Sequence, residues 1–187
     1  MSRYDPPGDF CGVELARPPL GAVVTGTVMK PGLVIAPLQG EDQEHACAQL
    51  MAGTDPWQTL GMDMNSVLRA VCAPGRERYV AHQDGQFAGF LILNFQGPFT
   101  GYIQLIGVAQ QFRGLGVGGA IITFAEQRIF RDHHNVFLCV SSFNLRARHF
   151  YAAKGYHEVG ELTDFLVAGH SEFLLRKTIG PRMNSKA

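Results

Sequence analysis

The residues best suited to chemistry form a glycine cluster between positions 111 and 120, which reads QFRGLGVGGA. A strand pattern precedes the cluster, a helix pattern follows it, and four glycines fall between Gly114 and Gly119. Glycine lets the backbone turn tightly and approach a ligand closely. The first turn of a helix carries N–H groups without partners, at the positive end of its dipole. The cluster therefore predicts a phosphate or pyrophosphate site with Arg113 at its rim, and a tight turn without a ligand is the alternative.

Two other nucleotide sites do not fit the surroundings of this cluster. Gly114-x-Gly116-x-x-Gly119 has the spacing of a dinucleotide fingerprint, which also needs an acidic residue at the end of the next strand. That strand pattern ends at Cys139–Ser142 and has no acidic residue. A P-loop is excluded because the chain has no Gly-Lys-Ser/Thr sequence.

A second candidate segment covers residues 144–156 and reads NLRARHFYAAKGY. Asn144 and Tyr151 are seven residues apart, which is two helical turns, so they share one helix face. Asn144 also suits a helix N-cap, and a packed core residue is the alternative for Tyr151. The segment therefore predicts a helix that carries two polar groups on one side.

Together, the two segments resemble the GNAT superfamily of acyl-CoA N-acyltransferases. The family pattern Gln/Arg-x-x-Gly-x-Gly/Ala fits Arg113, Gly116 and Gly118. It also fits two residues earlier, from Gln111, but the spacing from Val108 favours the later register. The second segment is similar to the family's Asn-x-x-Ala-x-x-apolar-Tyr-x-x-x-Gly-Phe, with tyrosine in place of the final phenylalanine. The resemblance covers roughly residues 30–178.

The resemblance implies transfer of an acetyl group from acetyl-CoA to a primary amine within a ternary complex. The loop amides would hold the pyrophosphate, the strand before them would hold the pantetheine arm, and the Val108 N–H could polarise the thioester oxygen. Asn144 would contact the cofactor, and Tyr151 would donate a proton to the departing thiolate. The cofactor-binding residues implied are Ile106, Gly107, Val108, Arg113, Gly114, Leu115, Gly116, Val117, Gly118, Gly119, Asn144 and Tyr151. Tyr151 is the catalytic candidate, and no metal ligand is expected.

The general base is not identified by the sequence. Family members often place a glutamate on one of two splayed strands, but residues 102–104 and 138–140 contain no carboxylate. Candidates near the expected acceptor side are Asp164, His170 and Glu172, and water is the alternative. Trp57 could line the acceptor pocket or pack in the core. Cys139, on a buried strand pattern, is most simply a small core residue.

Hydrophobic and turn patterns predict the elements that position these groups, in the order β-α-α-β-β-β-α-β-α-β-β. The predicted helices cover residues 41–51, 65–72, 117–130 and 144–154, with Asn65–Ser66 as the cap of the second. The predicted strands cover residues 33–37, 78–83, 86–94, 100–109, 136–140, 156–160 and 172–177. The fold class is α/β (α+β), and the order favours a mixed sheet. The resemblance implies a mostly antiparallel sheet that is splayed between two central parallel strands, with helices on both faces.

Composition limits the partners and the domain count. The 187 residues suit one domain, which we expect at 29–180, followed by a tail at 181–187. Residues 1–28 hold four of the ten prolines and form an extension, either flexible or an ordered arm with a strand at Gly21–Val28. Such an arm could join two chains in a homodimer. The 16 basic and 16 acidic residues disfavour nucleic acid as a bulk partner but still allow an anionic cofactor.

The remaining expectations concern location and acceptor. The four cysteines form no C-x-x-C pair, no apolar run reaches the ~20 residues of a membrane span, and no leader pattern is present, so we expect a cytoplasmic protein with reduced thiols. The acceptor is expected to be a small-molecule amine or a peptide N-terminus. The alternative function is a regulatory module that binds CoA without catalysis.

Overall fold

The computed structural model describes residues 31–182, so the predicted N-terminal arm, including Gly21–Val28, lies outside the described residues. The elements follow the predicted order and confirm the fold class. The helices are α1 (Gly40–Ala52), α2 (Met64–Cys72), α3 (Val117–Phe130) and α4 (Leu145–Ala153), and a 3₁₀ turn covers Gln110–Phe112. The strands are β1 (Leu33–Pro37), β2 (Glu77–Gln83), β3 (Gln86–Asn94), β4 (Tyr102–Val108), β5 (Asn135–Ser141), β6 (His157–Val167) and β7 (His170–Thr178). No helix within 31–182 is long and apolar enough to cross a membrane.

The seven strands form one sheet in the order β1-β2-β3-β4-β5-β7-β6. Every neighbouring pair is antiparallel except β4 and β5, which run parallel. The predicted hairpin at Asp84-Gly85 joins β2 to β3, and both turn residues have the positive φ that this type of hairpin requires. The sheet is therefore two antiparallel halves that meet at one parallel contact.

That contact between β4 and β5 is short. The register holds a single pair, Tyr102 opposite Phe137, with one backbone hydrogen bond of 3.1 Å from the Phe137 N–H to the Gly101 carbonyl beside it. Beyond this point the strands part. β4 keeps its ladder with β3, with a bulge opposite Ile92 and Leu93, and β5 keeps its ladder with β7. The backbone groups of β4 that point toward β5 therefore have no strand partner after Tyr102.

Two apolar cores cover opposite faces of the sheet. The first core lies under α3 and α4 and includes Ile121, Ala125, Leu138 and Tyr151. The second lies under α1 and α2 and includes Met51, Val67 and Phe90 together with the only tryptophan. Helices thus lie on both faces, but the second face is covered mainly over β1–β4. We call the face under α3 and α4 the α3/α4 face, and the other the α1/α2 face.

The N-terminal end of α2 differs from the sequence prediction. α2 begins one residue before the predicted range, and its N-cap is Asp63, whose Oδ1 accepts from the Ser66 N–H at 2.7 Å. The prediction that Asn65–Ser66 caps this helix is therefore wrong. Aspartate caps as well as asparagine or serine does, and its oxygen here reaches the third N–H of the helix.

Strand β6 is twice as long as predicted, since it continues to Val167 rather than stopping at Gly160. It is the edge strand, and all but two of its residues are exposed. Bulges interrupt its register with β7 between Glu158 and Gly160 and between Leu162 and Val167. An exposed, bulged edge strand has no buried face, so it carries no alternating pattern that the sequence could reveal.

Helix α3 is anchored at its C-terminal end. Arg128 donates to both carboxylate oxygens of Glu77 on β2, at 2.9 and 2.5 Å, and to Asp132 at 2.8 Å. The Tyr79 hydroxyl donates to the same Glu77 carboxylate at 2.7 Å. A two-point arginine–carboxylate pair fixes orientation as well as distance. The C-terminal end of α3 is therefore tied to the half of the sheet that contains β1–β4.

Glycines allow β3 and β4 to meet closely where β4 borders the gap. A Cβ at Gly89 would lie 2.3 Å from the Gly107 carbonyl oxygen, and a Cβ at Gly107 would lie 2.5 Å from the Phe90 ring. The backbone oxygen cannot move without disturbing the ladder. Both positions therefore require glycine because of space and not because of φ.

We expect Gly89→Ala to lower the free energy of unfolding by about 1–3 kcal/mol, the usual effect of forcing a methyl group into a packed site. Denaturant unfolding measures this change. The matched control is Gly160→Ala on β6, where a Cβ would meet nothing within 4 Å. Equal stabilities for the two variants would contradict the close approach of β3 and β4.

Candidate active site

The gap between β4 and β5 leaves one strand edge available to a ligand. Ile106, Gly107 and Val108 pair with β3 on one side only, opposite Leu91, Phe90 and Gly89 respectively. The Gly107 carbonyl points toward Gly89 on β3, so the backbone groups of its neighbours Ile106 and Val108 point to the other side, toward the gap. Buried backbone groups need hydrogen-bond partners, and an extended molecule with amide groups can supply them as an added strand would.

The glycine cluster lies where this strand edge ends. Gly114 has φ of 77° and Gly116 has φ of 86°, the left-handed region that glycine adopts without strain. A Cβ at either position would meet nothing within 4 Å. These two glycines are therefore required by backbone conformation, and the space around them is open.

Helix α3 begins immediately after the loop, with Gly116 as its N-cap. The first helical hydrogen bond runs from the Ala120 N–H to the Gly116 carbonyl at 3.1 Å. The preceding N–H groups, those of Val117, Gly118 and Gly119, have no acceptor within the helix. Three amides therefore lie at the positive end of a 14-residue helix, the geometry that favours an anion, and the anion site stays a prediction.

Arg113 braces the loop instead of extending freely from its rim. Its Nε donates to the Val108 carbonyl at 2.9 Å, although the side chain is otherwise exposed. The bond joins the loop to the end of β4. The terminal guanidinium nitrogens remain near the loop and keep a positive charge there.

A lysine that sequence reasoning missed adds a second charge. A Cβ at Gly119 would lie 3.4 Å from Lys154 Nζ, so this ammonium group lies beside the first turn of α3. Lys154 is the C-cap of α4, three residues after Tyr151. The available signal was its place in the second segment, but only the packing of α4 against α3 shows that it meets the loop.

Helices α3 and α4 meet across the gap at another glycine. A Cβ at Gly118 would lie 3.5 Å from the Val108 side chain and 4.0 Å from the Phe150 ring. The start of α3, the end of β4 and the middle of α4 therefore converge. The fold thus brings together the two sequence segments 111–120 and 144–156.

Asn144 and Tyr151 lie on α4 with different surroundings. Asn144 is the N-cap, and its Oδ1 accepts from the Ala147 N–H at 3.1 Å, which leaves its Nδ2 group available to donate. Tyr151 is 7% exposed and packs edge-on against Phe150 and Tyr156, with ring centroids 5.3 and 5.6 Å apart. Burial raises the pKa of its hydroxyl, so the group is neutral and carries its proton.

The remaining residues singled out in the sequence differ in burial and in their contacts. Asp164 is exposed, and its carboxylate accepts from the Gly169 N–H in the β6–β7 connection. The His170 ring packs against Phe143 at 5.1 Å. Trp57 is 8% exposed and packs against Phe90 in the second core, the more ordinary of its two expected roles. Glu172 is buried, at 3% exposure.

Cys139 is not a core residue as predicted. It lies on the α1/α2 face of β5, half-buried, in hydrogen-bond contact with the Tyr102 side chain on β4. The strand alternates, and its core positions are Val136, Leu138 and Val140. Burial is the main cause that raises the pKa of the Cys139 thiol, and the nearby Glu172 charge adds to it.

The profile of the acetyltransferase (GNAT) family matches residues 43–156, which include both segments and the parted strands. The chain belongs to this family. It is 32% identical over 101 residues to an uncharacterized N-acetyltransferase of Methanocaldococcus jannaschii, a match that covers 53% of this chain and 64% of that protein.

Solved structures show the same fold. The ribosomal-protein-S18-alanine N-acetyltransferase of Escherichia coli superposes with a TM-score of 0.67 at 14% identity, covering 83% of this chain and 99% of that chain. An aminoglycoside 6'-N-acetyltransferase complexed with coenzyme A superposes with a TM-score of 0.64 at 17% identity, covering 81% and 99%. Identities this low establish the fold alone.

We expect Asn144→Ala to lower the free energy of unfolding by about 1 kcal/mol, because α4 loses its side-chain cap. Asn144→Asp keeps an oxygen acceptor and should retain nearly all of the stability. Thermal or denaturant unfolding of both variants measures the difference. Equal stability of the Asn144→Ala and Asn144→Asp variants would mean that the side-chain cap does not stabilise α4.

Proposed function

We propose that the protein is an acetyl-CoA-dependent N-acetyltransferase that transfers the acetyl group directly to a primary amine. The observation that carries the proposal is the open edge of β4, which ends in a left-handed glycine loop at the N-terminus of α3. The open edge of β4 leads directly to the amides at the start of α3. This arrangement suits a ligand that has an extended arm with amide groups followed by a pyrophosphate. Family membership and the coenzyme A bound to a structural neighbour support acetyl-CoA as that ligand.

In this proposal the chain holds the donor mainly through backbone groups. The amides of residues 117–119 bind the pyrophosphate, with charge from Arg113 and Lys154 beside them. In the segment Ile106–Gly107–Val108, the gap-facing groups of Ile106 and Val108 bind the arm, and the Val108 N–H polarises the thioester oxygen. Asn144 Nδ2 contributes a further donor from α4. The loop residues Gly114, Leu115, Gly116 and Gly118 complete the binding set by shaping the backbone.

Tyr151 serves as the proton donor to the departing thiolate. Its burial keeps the hydroxyl protonated, so the proton is present when the carbon–sulfur bond breaks. The same burial makes a phenolate costly, so donation to sulfur has to be coupled to return of a proton released by the attacking amine. A hydroxyl in this position therefore relays a proton within one turnover and does not ionise beforehand.

Acetyl-CoA should raise the melting temperature of the protein, because a ligand of the native state stabilises that state. At an acetyl-CoA concentration of a hundred times Kd, the free energy of unfolding rises by about 2.7 kcal/mol. Lys154→Gln should weaken this binding about tenfold or more, because a charged hydrogen bond is lost. The matched control is Arg131→Gln at the C-cap of α3, at the opposite end of the helix from the loop. A wild-type melting temperature that saturating acetyl-CoA leaves unchanged would contradict the proposal.

Tyr151→Phe should lower kcat by about 10²–10⁴-fold, the usual range for a positioned acid, while the acetyl-CoA-induced rise in melting temperature is retained. Free CoA released with a panel of primary amines measures turnover. Tyr156→Phe is the control because it removes a hydroxyl from the ring that packs against Tyr151. If the Tyr151→Phe variant kept the kcat of the wild type, Tyr151 would not be the proton donor.

A further inference from the structure

A cluster of polar side chains lies beside the gap on the α1/α2 face of the sheet. Its members are Tyr102 on β4, Cys139 and Ser141 on β5, and Glu172 on β7, and we call them the acceptor-side cluster. Strand alternation fixes their face, because the neighbours Val140 on β5 and Leu175 and Phe173 on β7 pack into the core under α3 and α4. Tyr151 packs into that same core, so it and Glu172 lie on opposite faces of the sheet.

Glu172 is the one carboxylate in the cluster, and its burial is unusual. It is 3% exposed, and its side chain is hydrogen-bonded to Ser141, directly opposite on β5, whose Oγ donates to Oε1 at 2.5 Å. None of the ion pairs formed within residues 31–182 includes it. Burial raises the pKa of this carboxyl, and the Ser141 hydrogen bond offsets part of the rise. A buried carboxylate without a cation destabilises a fold, so its place beside the gap calls for a partner that arrives from outside.

The cluster reaches the gap itself through Tyr102. This residue is the last on β4 to pair with β5, and its hydroxyl contacts the Cys139 thiol across the two strands. Burial is the main cause of the raised pKa of Tyr102, and the Cys139 contact and the Glu172 charge both add to it. Glu172 therefore lies within electrostatic range of groups on both strands that border the gap.

The other charged and titratable groups around Glu172 do not neutralise it. On the same face of β7, the His170 ring packs against Phe143, and Arg176, four residues away, donates from Nε to Asn135 Oδ1 at 2.7 Å. The residue opposite Glu172 on β6 is Leu162. The carboxylate thus has one hydroxyl donor and two weakly acidic neighbours, Tyr102 and Cys139.

We propose that Glu172 is the general base of the transfer and that the acceptor-side cluster receives the ammonium group of the acceptor. This inference rests on the proposed function. An ammonium group supplies the cation that the carboxylate lacks, and β7 supplies the carboxylate that β4 and β5 do not contain. The acceptor would enter on the α1/α2 face while the thiolate is protonated from the α3/α4 face by Tyr151.

The proposed step balances as follows in atoms and charge. An N–H bond of the ammonium breaks, and its proton passes to the Glu172 carboxylate and then to solvent. The freed lone pair forms the nitrogen–carbon bond, the carbon–sulfur bond breaks, and the Tyr151 hydroxyl gives its proton to sulfur. The second proton lost by nitrogen restores Tyr151. One ammonium and one acetyl-CoA thus give one amide, one CoA thiol and one released proton.

The test compares wild type with Glu172→Gln, which keeps the shape of the side chain and its hydrogen bond to Ser141. Free CoA is measured with acetyl-CoA and three acceptors: kanamycin, spermidine and a tripeptide with N-terminal alanine. We expect kcat/KM to fall about 10²–10⁴-fold at neutral pH. The loss should shrink as pH rises toward the acceptor's own pKa, about 8 for the α-amino group of the tripeptide and about 10 for an alkylamine, because the acceptor then loses its own proton. Glu161→Gln on exposed β6 is the control and should match wild type.

Melting temperatures separate a base from a structural residue. A carboxyl whose pKa is raised by folding contributes stability below its unfolded pKa and loses it as pH rises through the folded pKa. Glu172→Gln should therefore be at least as stable as wild type at pH 8 and should keep the acetyl-CoA-induced rise. A lower melting temperature with loss of that rise would mean a structural role and would overturn the inference.

Turnover equal to wild type, or a loss independent of pH, would also overturn the inference while leaving the proposed function intact. If wild type shows no acetyl-CoA-induced rise, or releases no CoA with any of the three acceptors, the proposed function fails and the inference fails with it. If wild type is active and only Glu172→Gln is impaired as described, both stand.

Discussion

The parting of β4 and β5 after a single residue pair sets the requirements for the rest of the structure. Two neighbouring strands that separate inside a sheet leave N–H and C=O groups without partners, and such groups are costly when they are shielded from water. The fold sustains this gap by keeping a continuous antiparallel ladder on each side of it. The gap is a groove between two rigid half-sheets, and the deficit in hydrogen bonds lies on the edge that the donor is proposed to use.

The helices complete what the strands begin. α3 places its N-terminal amides at the open end of the gap, and α4 lies across it with Asn144 at one end and Lys154 at the other. Because α3 and α4 cover one face and α1 and α2 the other, the gap can be approached from two sides. In the proposed transfer, the acceptor nitrogen approaches from one of these sides and the leaving sulfur is protonated from the other.

Local sequence patterns predicted the order of the elements, the glycine turn before α3 and the cap at Asn144, since each depends on residues close together in the chain. Local patterns cannot predict contacts between residues that are far apart in the chain. Lys154 meets the α3 loop only because two helices pack together, and the same holds for the contact of Tyr102 with Cys139. The sequence named Glu172 beside Asp164 and His170, and only the register of β7 on β5 places it beside Ser141. Cys139 was assigned to the core because an apolar strand pattern does not reveal which face points inward.

The anchor of Arg128 on Glu77 and Asp132 has a consequence for the opposite end of α3. The helix has 14 residues and therefore extends about 21 Å. A tilt of the helix by about 5° at the anchored end would therefore displace the loop amides by about 2 Å. A misplacement of about 1 Å can slow a reaction by about 10²-fold. The position of the N-terminal amides of α3 thus depends partly on the ion pairs of Arg128 with Glu77 and Asp132 at the other end of the helix. Salt and surface substitutions at that remote cluster could therefore tune donor binding without touching the donor.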